Sequence, residues 1–255
     1  MTQYIFGSGS MYATPLQDAA GAAIANPTPV KLGELQEASF DFSGEVKELY
    51  GQNKFPAAVG TAKCKASLKI KNARIMARAW NALFFGQTLQ NGIIGVNTDT
   101  TGQTIPTTPF QITVAPPSSG TFAADLGVLD ANGSPMTRVA SAPATGQYSV
   151  NTSTGQYTFA AADTGKVVYI NYRYTASSTS AFKLSILNQA MGYQPQIGID
   201  LSVIYQGKQA HFALYQCVAP KMSIALKNDD FAIPEFELAG MDNGTGVIGT
   251  LSTSE

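Results

Sequence analysis

Apolar and polar residues alternate with a period of two through most of this chain. The clearest stretch is KCKASLKIK, from Lys63 to Lys71. Lys63, Lys65, Lys69 and Lys71 share one parity with Ser67, while Cys64, Ala66, Leu68 and Ile70 share the other. This strict alternation predicts a β-strand with one charged and one apolar face. Upstream, SFDFSGEVKELYG sets Ala38, Phe40 and Phe42 on one side and Glu37, Asp41 and Glu45 on the other. Opposite charges facing one another across a ladder favour pairing. Lys63, Lys65, Lys69 and Lys71 are therefore candidates for ion pairs between strands or between subunits. Lysines that protect an edge strand from further pairing are the plainer explanation.

The same patterning divides the chain. Residues 1–29 are rich in Ala, Gly, Thr and Pro and predict an extended N-terminal arm. Strand signals run from Val30 to Phe42, Ser43-Gly44 reads as a turn, and a second strand follows from Glu45 to Tyr50. GQNKFPAAVG then predicts a projecting loop before the lysine strand. One segment changes to helical spacing, KNARIMARAWNALFFG. Ala73, Met76, Trp80, Leu83 and Phe84 form its apolar stripe, widened by Ile75 and Ala79. Asn72 is the expected N-cap and Gly86 the expected C′ residue. Arg74, Arg78 and Asn81 mark the polar side. Trp80, within the stripe, reads as a core anchor.

Residues 88–104 have the Gly, Thr and Asn content of a linker. Short strands with regular turns follow, including the hairpin signal Asn132-Gly133. They predict a small inserted β-sandwich at 105–176, immunoglobulin-like in character but without a Cys…Trp…Cys pattern. Residues 177–179 read as a second linker. The first pattern then returns in FKLSILN, IGIDLSVIYQG, AHFALYQCVAP, KMSIALKN and DDFAIPEFELAGMDN, with a short polar tail. The expected organisation is a discontinuous β domain, 30–87 and 180–255, interrupted by the sandwich; a tandem of two or three β domains is the alternative. The expected fold class is mainly β, a sandwich or barrel with one flanking helix plus the inserted module.

Composition narrows the function. Charged residues are 13 % of the chain, about half the usual share. A surface so poor in charge suits extensive protein–protein contact, and equally an ordinary Ser/Thr-rich β protein. The net charge of −1 argues against general nucleic-acid binding, which needs a basic excess. It leaves room for a protein past which nucleic acid slides unheld. The N-terminus lacks signal-peptide character, and no apolar run reaches transmembrane length. An intracellularly made, soluble protein is expected. Cys64 and Cys217 each sit among alternating apolar residues and are expected as buried free thiols, with a disulfide as the alternative.

The search for chemistry is mostly negative. His211 is the single histidine and reads as a structural strand residue. No His/Cys cluster has metal-ligand spacing, and there is no P-loop, dinucleotide fingerprint or nucleophile elbow. Asp229-Asp230, and Asp125 with Asp130, read as turn residues in preference to calcium ligands. Glu235 and Glu237 share one strand face, as a solvated strand or a glycosidase carboxylate pair would. Tyr148, Tyr157, Tyr169 and Tyr172 read as sandwich core and edge, with a sugar platform as the sharper alternative. No catalytic residue, metal or cofactor is expected.

Four segments in order resemble the major tail tube proteins of long-tailed bacteriophages. They are SFDFSGEVKELYGQNKFP, the lysine strand running into NARIMARAWNALFFG, KNDDFAIPEFELAGMDNGTG, and the middle stretch from GTFAADLGVLDANG to VVYINYRYT, which is similar to β modules of phage structural proteins. The resemblance implies a tail-tube-like β-sandwich or barrel, hexameric rings, and rings stacked around a channel that conducts DNA during genome ejection. It implies that the loop Gly51, Gln52, Asn53, Lys54, Phe55 and Pro56 contacts the next ring, and that Glu37, Asp41 and Glu45 line the lumen. The arm and C-terminal segment would lie across neighbours, with the inserted module facing outward. Tape measure, tail terminator and baseplate proteins would be partners, and the virion tail, assembled in the host cytoplasm, the location. The alternatives are another phage structural protein, such as a capsid decoration or baseplate hub, and a carbohydrate-binding or hydrolysing β protein.

Overall fold

The computed structural model describes residues 4–74 and 76–254. Strands make up 51 % of it and helix 6 %, so the fold is mainly β and sandwich-like. The chain divides into two compact units, residues 1–89 with 184–255, and residues 90–183. It opens with β1 (Ser10–Gln17), β2 (Val30–Leu32), β3 (Leu35–Tyr50) and β4 (Pro56–Asn72). A short helix follows, α1 (Ala77–Trp80), which continues as a π-type turn over Asn81–Phe85. The second unit carries β5 (Gln90–Asn91), β6 (Ile93–Asn97), β7 (Gln103–Thr104), β8 (Gln111–Thr113), β9 (Thr121–Asp130), β10 (Thr137–Arg138), β11 (Gln147–Asn151), β12 (Gln156–Phe159), β13 (Val167–Ala176) and β14 (Phe182–Lys183). The first unit resumes with β15 (Gln196–Tyr205), β16 (Lys208–Ser223), β17 (Glu235–Gly240) and β18 (Gly249–Thr253).

In the first unit one sheet runs β2-β1-β15-β16-β17-β4-β3, and β18 also pairs with β16. Its core holds Met11, Leu68, Ile70, Ile199, Leu214 and Leu238, with Ala79 and Leu83 of the helical segment packed against them. The expected arm is therefore corrected, because β1 is an interior strand between β2 and β15 and buries Met11 and Ala13 completely. Its short alternation is masked by Pro15. That proline is tolerated because β2 pairs only with Met11 to Ala13, and the β15 register shifts just beyond it. The expected break at Ser43-Gly44 is also absent, since β3 runs straight through it. AHFALYQCVAP and the start of KMSIALKN form one strand, β16, with Pro220 at an irregularity between Val218 and Lys221. FKLSILN supplies only the two residues of β14, and no strand covers residues 184–195.

The helix is shorter than its periodicity predicts. Asn72 is the last residue of β4, not an N-cap, although its Oδ1 accepts from the Arg74 N–H at 3.2 Å. Ile75 lies outside the described residues. Asn81 does not face outward with the arginines. Its amide donates to the Gln87 carbonyl at 2.6 Å and accepts from the Gln87 N–H at 2.9 Å, closing the helix end. Gly86 terminates the helix as expected, at φ 57°.

The second unit has one sheet of β10-β11-β12-β8 and another in which β13 pairs with β6, β7 and β9. Tyr157, Ile170, Ile105 and Val128 are central to its core. The predicted linker 88–104 is corrected, because β5, β6 and β7 lie within it and pair with β14 and β13. It reads as linker because Ile93, Ile94 and Val96 remain exposed and Gly, Thr and Asn fill the turns. Asp99 staples that stretch, accepting from the N–H groups of Thr101, Gly102 and Ile170. Burial raises its pKa, and these hydrogen bonds outweigh burial and hold it below the ordinary value. Asn132-Gly133 forms a tight turn, with Asp130 Oδ1 accepting from the Asn132 and Ser134 N–H groups at 2.8 Å each.

Candidate self-assembly surfaces

The β3–β4 hairpin supplies the main candidate surface. Only its inner half is packed, since buried positions in β4 begin at Ala66. Residues 41–50 and 57–65 are all exposed. The loop Gly51–Pro56 caps this projection, and Phe55 at its tip is 83 % exposed.

A bulge gives the projection two different faces. Gly44 faces Cys64, but Val46 faces Thr61, so β4 carries one extra residue there. An extra residue reverses the parity of everything beyond it. Thr61 and Val59 thereby join the face of Phe42, Val46, Glu48 and Tyr50, which continues the apolar side of the core with one carboxylate in it, since Glu48 stands opposite Val59 and accepts from the Tyr50 hydroxyl. Phe42 is 70 % exposed, Val46 58 %, Tyr50 57 % and Val59 61 %. The apolar pattern that buries β3 and β4 thus continues, interrupted by Glu48, onto exposed strands.

The other face carries most of the charge, its acids and lysines mixed, with Leu49 exposed at its outer end. Glu37 stands opposite Lys71, which stands opposite Glu235. In the next row Lys69 stands opposite Glu237, and Glu237 opposite Lys221. The Lys71 ammonium donates to Glu37 Oε2 at 2.6 Å. Asp41 faces Ser67, Lys65 faces Ser43, and Lys63 lies in the bulge near Glu45, whose carboxylate is 3.8 Å from Lys47. The acidic residues expected along a lumen therefore share their face with the lysine ladder, and the two largely offset one another. Glu235, Glu237 and Lys221 complete this checkerboard. The alternation in β17 pointed to the two glutamates, but no local signal places Lys221 beside them.

Next to the hairpin the first unit has an open apolar groove of about 490 Å3, lined by Phe40, Phe42, Phe212, Leu214, Ile248 and Leu251. Phe40 and Phe212 stack across it with ring centroids 5.1 Å apart.

The remaining candidates are dispersed. Cys217 is buried, its thiol donates to the Ile197 carbonyl at 3.2 Å, and burial pushes its pKa up to about 12. Cys64 is exposed on the projecting hairpin, correcting the expectation that both thiols are buried; both are free. His211 Nε2 lies 3.1 Å from Asp200 Oδ1 on an exposed strand face. Among the described residues no three His, Cys, Asp or Glu side chains are grouped to hold a metal. None of the described helices is long and apolar enough to cross a membrane. The sugar platform is corrected as well. Tyr148, Tyr157 and Tyr172 are buried, and the first two donate to Asp125 at 2.8 and 3.0 Å. No protein-family model matches the chain, and no curated protein matches it.

Proposed function

We propose that this chain is a structural subunit that assembles with copies of itself, the major tail tube protein of a long-tailed bacteriophage. In this reading six copies form a ring, rings stack around a DNA-conducting channel, and no reaction is catalysed. The observation that carries self-assembly is the β3–β4 projection, whose outer half displays Phe42, Val46, Tyr50 and Val59 to solvent along open strand edges. Long exposed apolar edges are templates for pairing with another chain. Fully burying each such aliphatic or aromatic side chain contributes roughly 1.5–3 kcal/mol. The further step to a tail tube rests on the order of segments: strand pair with projecting loop, lysine strand into helix, interrupting β module and closing strand. Tape measure, terminator and baseplate proteins are the partners this role requires, and the virion tail is its location. A channel wall of offset acids and lysines would let a polyanion pass without strong retention.

Negative-stain microscopy of the purified protein at high concentration tests the reading. Rings or tubes are expected. Monodisperse monomers would overturn it, and co-purification with capsids instead of tails would move the chain to another virion part.

A further inference from the structure

Asparagine precedes glycine at Asn91-Gly92, Asn132-Gly133 and Asn243-Gly244. Glycine has no side chain to shield its nitrogen, which can therefore approach the side-chain carbonyl of the asparagine before it. Attack has two requirements. The nitrogen must give up its proton, and the amide oxygen must take on negative charge. The three pairs differ on both counts. Gly92 is buried beside the β5–β14 pair and its N–H donates to the Ala181 carbonyl at 3.0 Å. The Gly133 N–H donates to the Asp130 carbonyl at 3.0 Å and closes a tight turn. Among the described residues no donor is bonded to the Asn91 or Asn132 amide oxygen. Asn243-Gly244 lies in the exposed segment that joins β17 to β18. There the glycine N–H meets a carboxylate and not a carbonyl, with Asp242 Oδ1 at 3.1 Å. Asn243 Oδ1 accepts from the Thr245 N–H at 3.0 Å and from the Thr245 hydroxyl at 2.6 Å, an Asx turn that wraps the side chain over the Gly244 nitrogen. A base faces the proton that must leave, and two donors face the oxygen that must carry charge.

We infer that Asn243 is a self-modification site, converting through a succinimide to aspartate and isoaspartate. The Gly244 nitrogen bonds to Asn243 Cγ and passes its proton to Asp242. The Cγ–Nδ2 bond breaks, and the side-chain nitrogen leaves as ammonia with that proton. Solvent water then opens the ring at either carbonyl. The product sets a second carboxylate beside Asp242, which is otherwise the one charged residue between 241 and 254. Val247 and Ile248 of the same segment wall the apolar groove, so the new charge enters the loop that borders it. The inference does not depend on self-assembly.

Ageing the full-length protein at neutral pH and mapping its peptides by mass spectrometry tests this. Amide-to-acid conversion at Asn243 should run about ten-fold ahead of Asn91 and Asn132, with isoaspartate in the product. T245V removes the hydroxyl donor and D242A the proton acceptor, and each should slow Asn243 about ten-fold without changing the other two positions. T245S keeps the hydroxyl and should age like the unsubstituted protein. In urea, where the arrangement is lost, the three positions should converge. Equal rates at all three in the folded protein would overturn the inference, and so would T245V and D242A proteins that age as fast as the unsubstituted one.

Discussion

Lys71 donates to Glu37 at 2.6 Å, and the same lysine faces Glu235 on its other side. One cation thus joins β3, β4 and β17 through their outward face. The Glu37 hydrogen bond, then the Glu37 charge, raise the Lys71 pKa; the small opposing effect of burial is outweighed, and Glu235 adds to the rise. A raised lysine pKa contributes stability that is fully present below its ordinary value of 10.5 and is lost as pH rises through the folded value. The melting temperature of K71M should therefore lie below that of the unsubstituted protein by a constant margin from pH 6 to 9. The margin should close above the ordinary lysine value. Because the pair is solvent-exposed, molar salt should shrink it as well. K71E, which sets three carboxylates in one row, should lower the melting temperature further.

In the second unit Asp125 ties the two sheets together. Its side chain is 4 % exposed, accepts from Tyr148 and Tyr157, and lies 3.5 Å from Arg138. D125A strands two tyrosine hydroxyls and should cost about 2–4 kcal/mol in urea unfolding, while Y157F should cost about 1–2 kcal/mol. Burial first, then Asp125, raise the pKa of both tyrosines well above the ordinary value of 10.0. For a raised phenol this stability is complete below pH 10 and declines as pH climbs toward the folded value, so alkaline titration should destabilise the unit.

The second unit should also be separable. Gln90 faces Lys183 and Asn91 faces Phe182, so the two ends of the unit lie side by side. Paired strand residues are about 5 Å apart, close enough for a short linker to bridge. Residues 90–183 expressed alone should melt cooperatively, since their core closes on itself. The remainder, joined by a few Gly and Ser residues, should keep its fold by circular dichroism.

Trp80 packs against the core of the first unit, yet its indole N–H is buried without an acceptor among the described residues. An unsatisfied buried donor costs about 1–3 kcal/mol, so W80F should change stability by less than about 1 kcal/mol. W80A removes the packing as well and should cost about 3 kcal/mol.

What could be read in advance depends on where the information sits. The faces of β4 and β17 were legible, because Leu68, Ile70, Phe236 and Leu238 alternate without interruption and are all buried. The interior position of β1 was not, because Pro15 and a run of small residues conceal a strand whose burial comes from distant β15. The edge strands β6 and β7 look like linker because exposed strands need no apolar alternation. The lysine and acid patterns were visible separately. That they share a face, with Lys221 closing the second row, follows only from a register set by residues far apart in sequence. The bulge after Gly44, which sets Val59 opposite Glu48 on the face of Val46, left no local signal.

That bulge leads to the most discriminating substitution in the chain. Val46 and Val59 face solvent at 58 % and 61 % exposure on the apolar side of the projection. Exposed substitutions away from special backbone sites usually change stability by no more than about 0.5 kcal/mol. V46D with V59D should therefore lower the urea midpoint only slightly, the main cost being the new carboxylate that V59D sets opposite Glu48. Two further carboxylates beside Glu48 oppose burial of this face against another copy strongly, because each buried unpaired carboxylate must be desolvated. The doubly substituted protein should sediment as a smaller species than the unsubstituted one at every concentration. S43D, on the outward charged face opposite Lys65, should leave the sedimentation profile intact. If V46D with V59D assembles as readily as S43D, the apolar stripe is not the surface through which copies join. A protein that unfolds with these two substitutions would show instead that the stripe belongs to the monomer's own core, against the exposure of both valines.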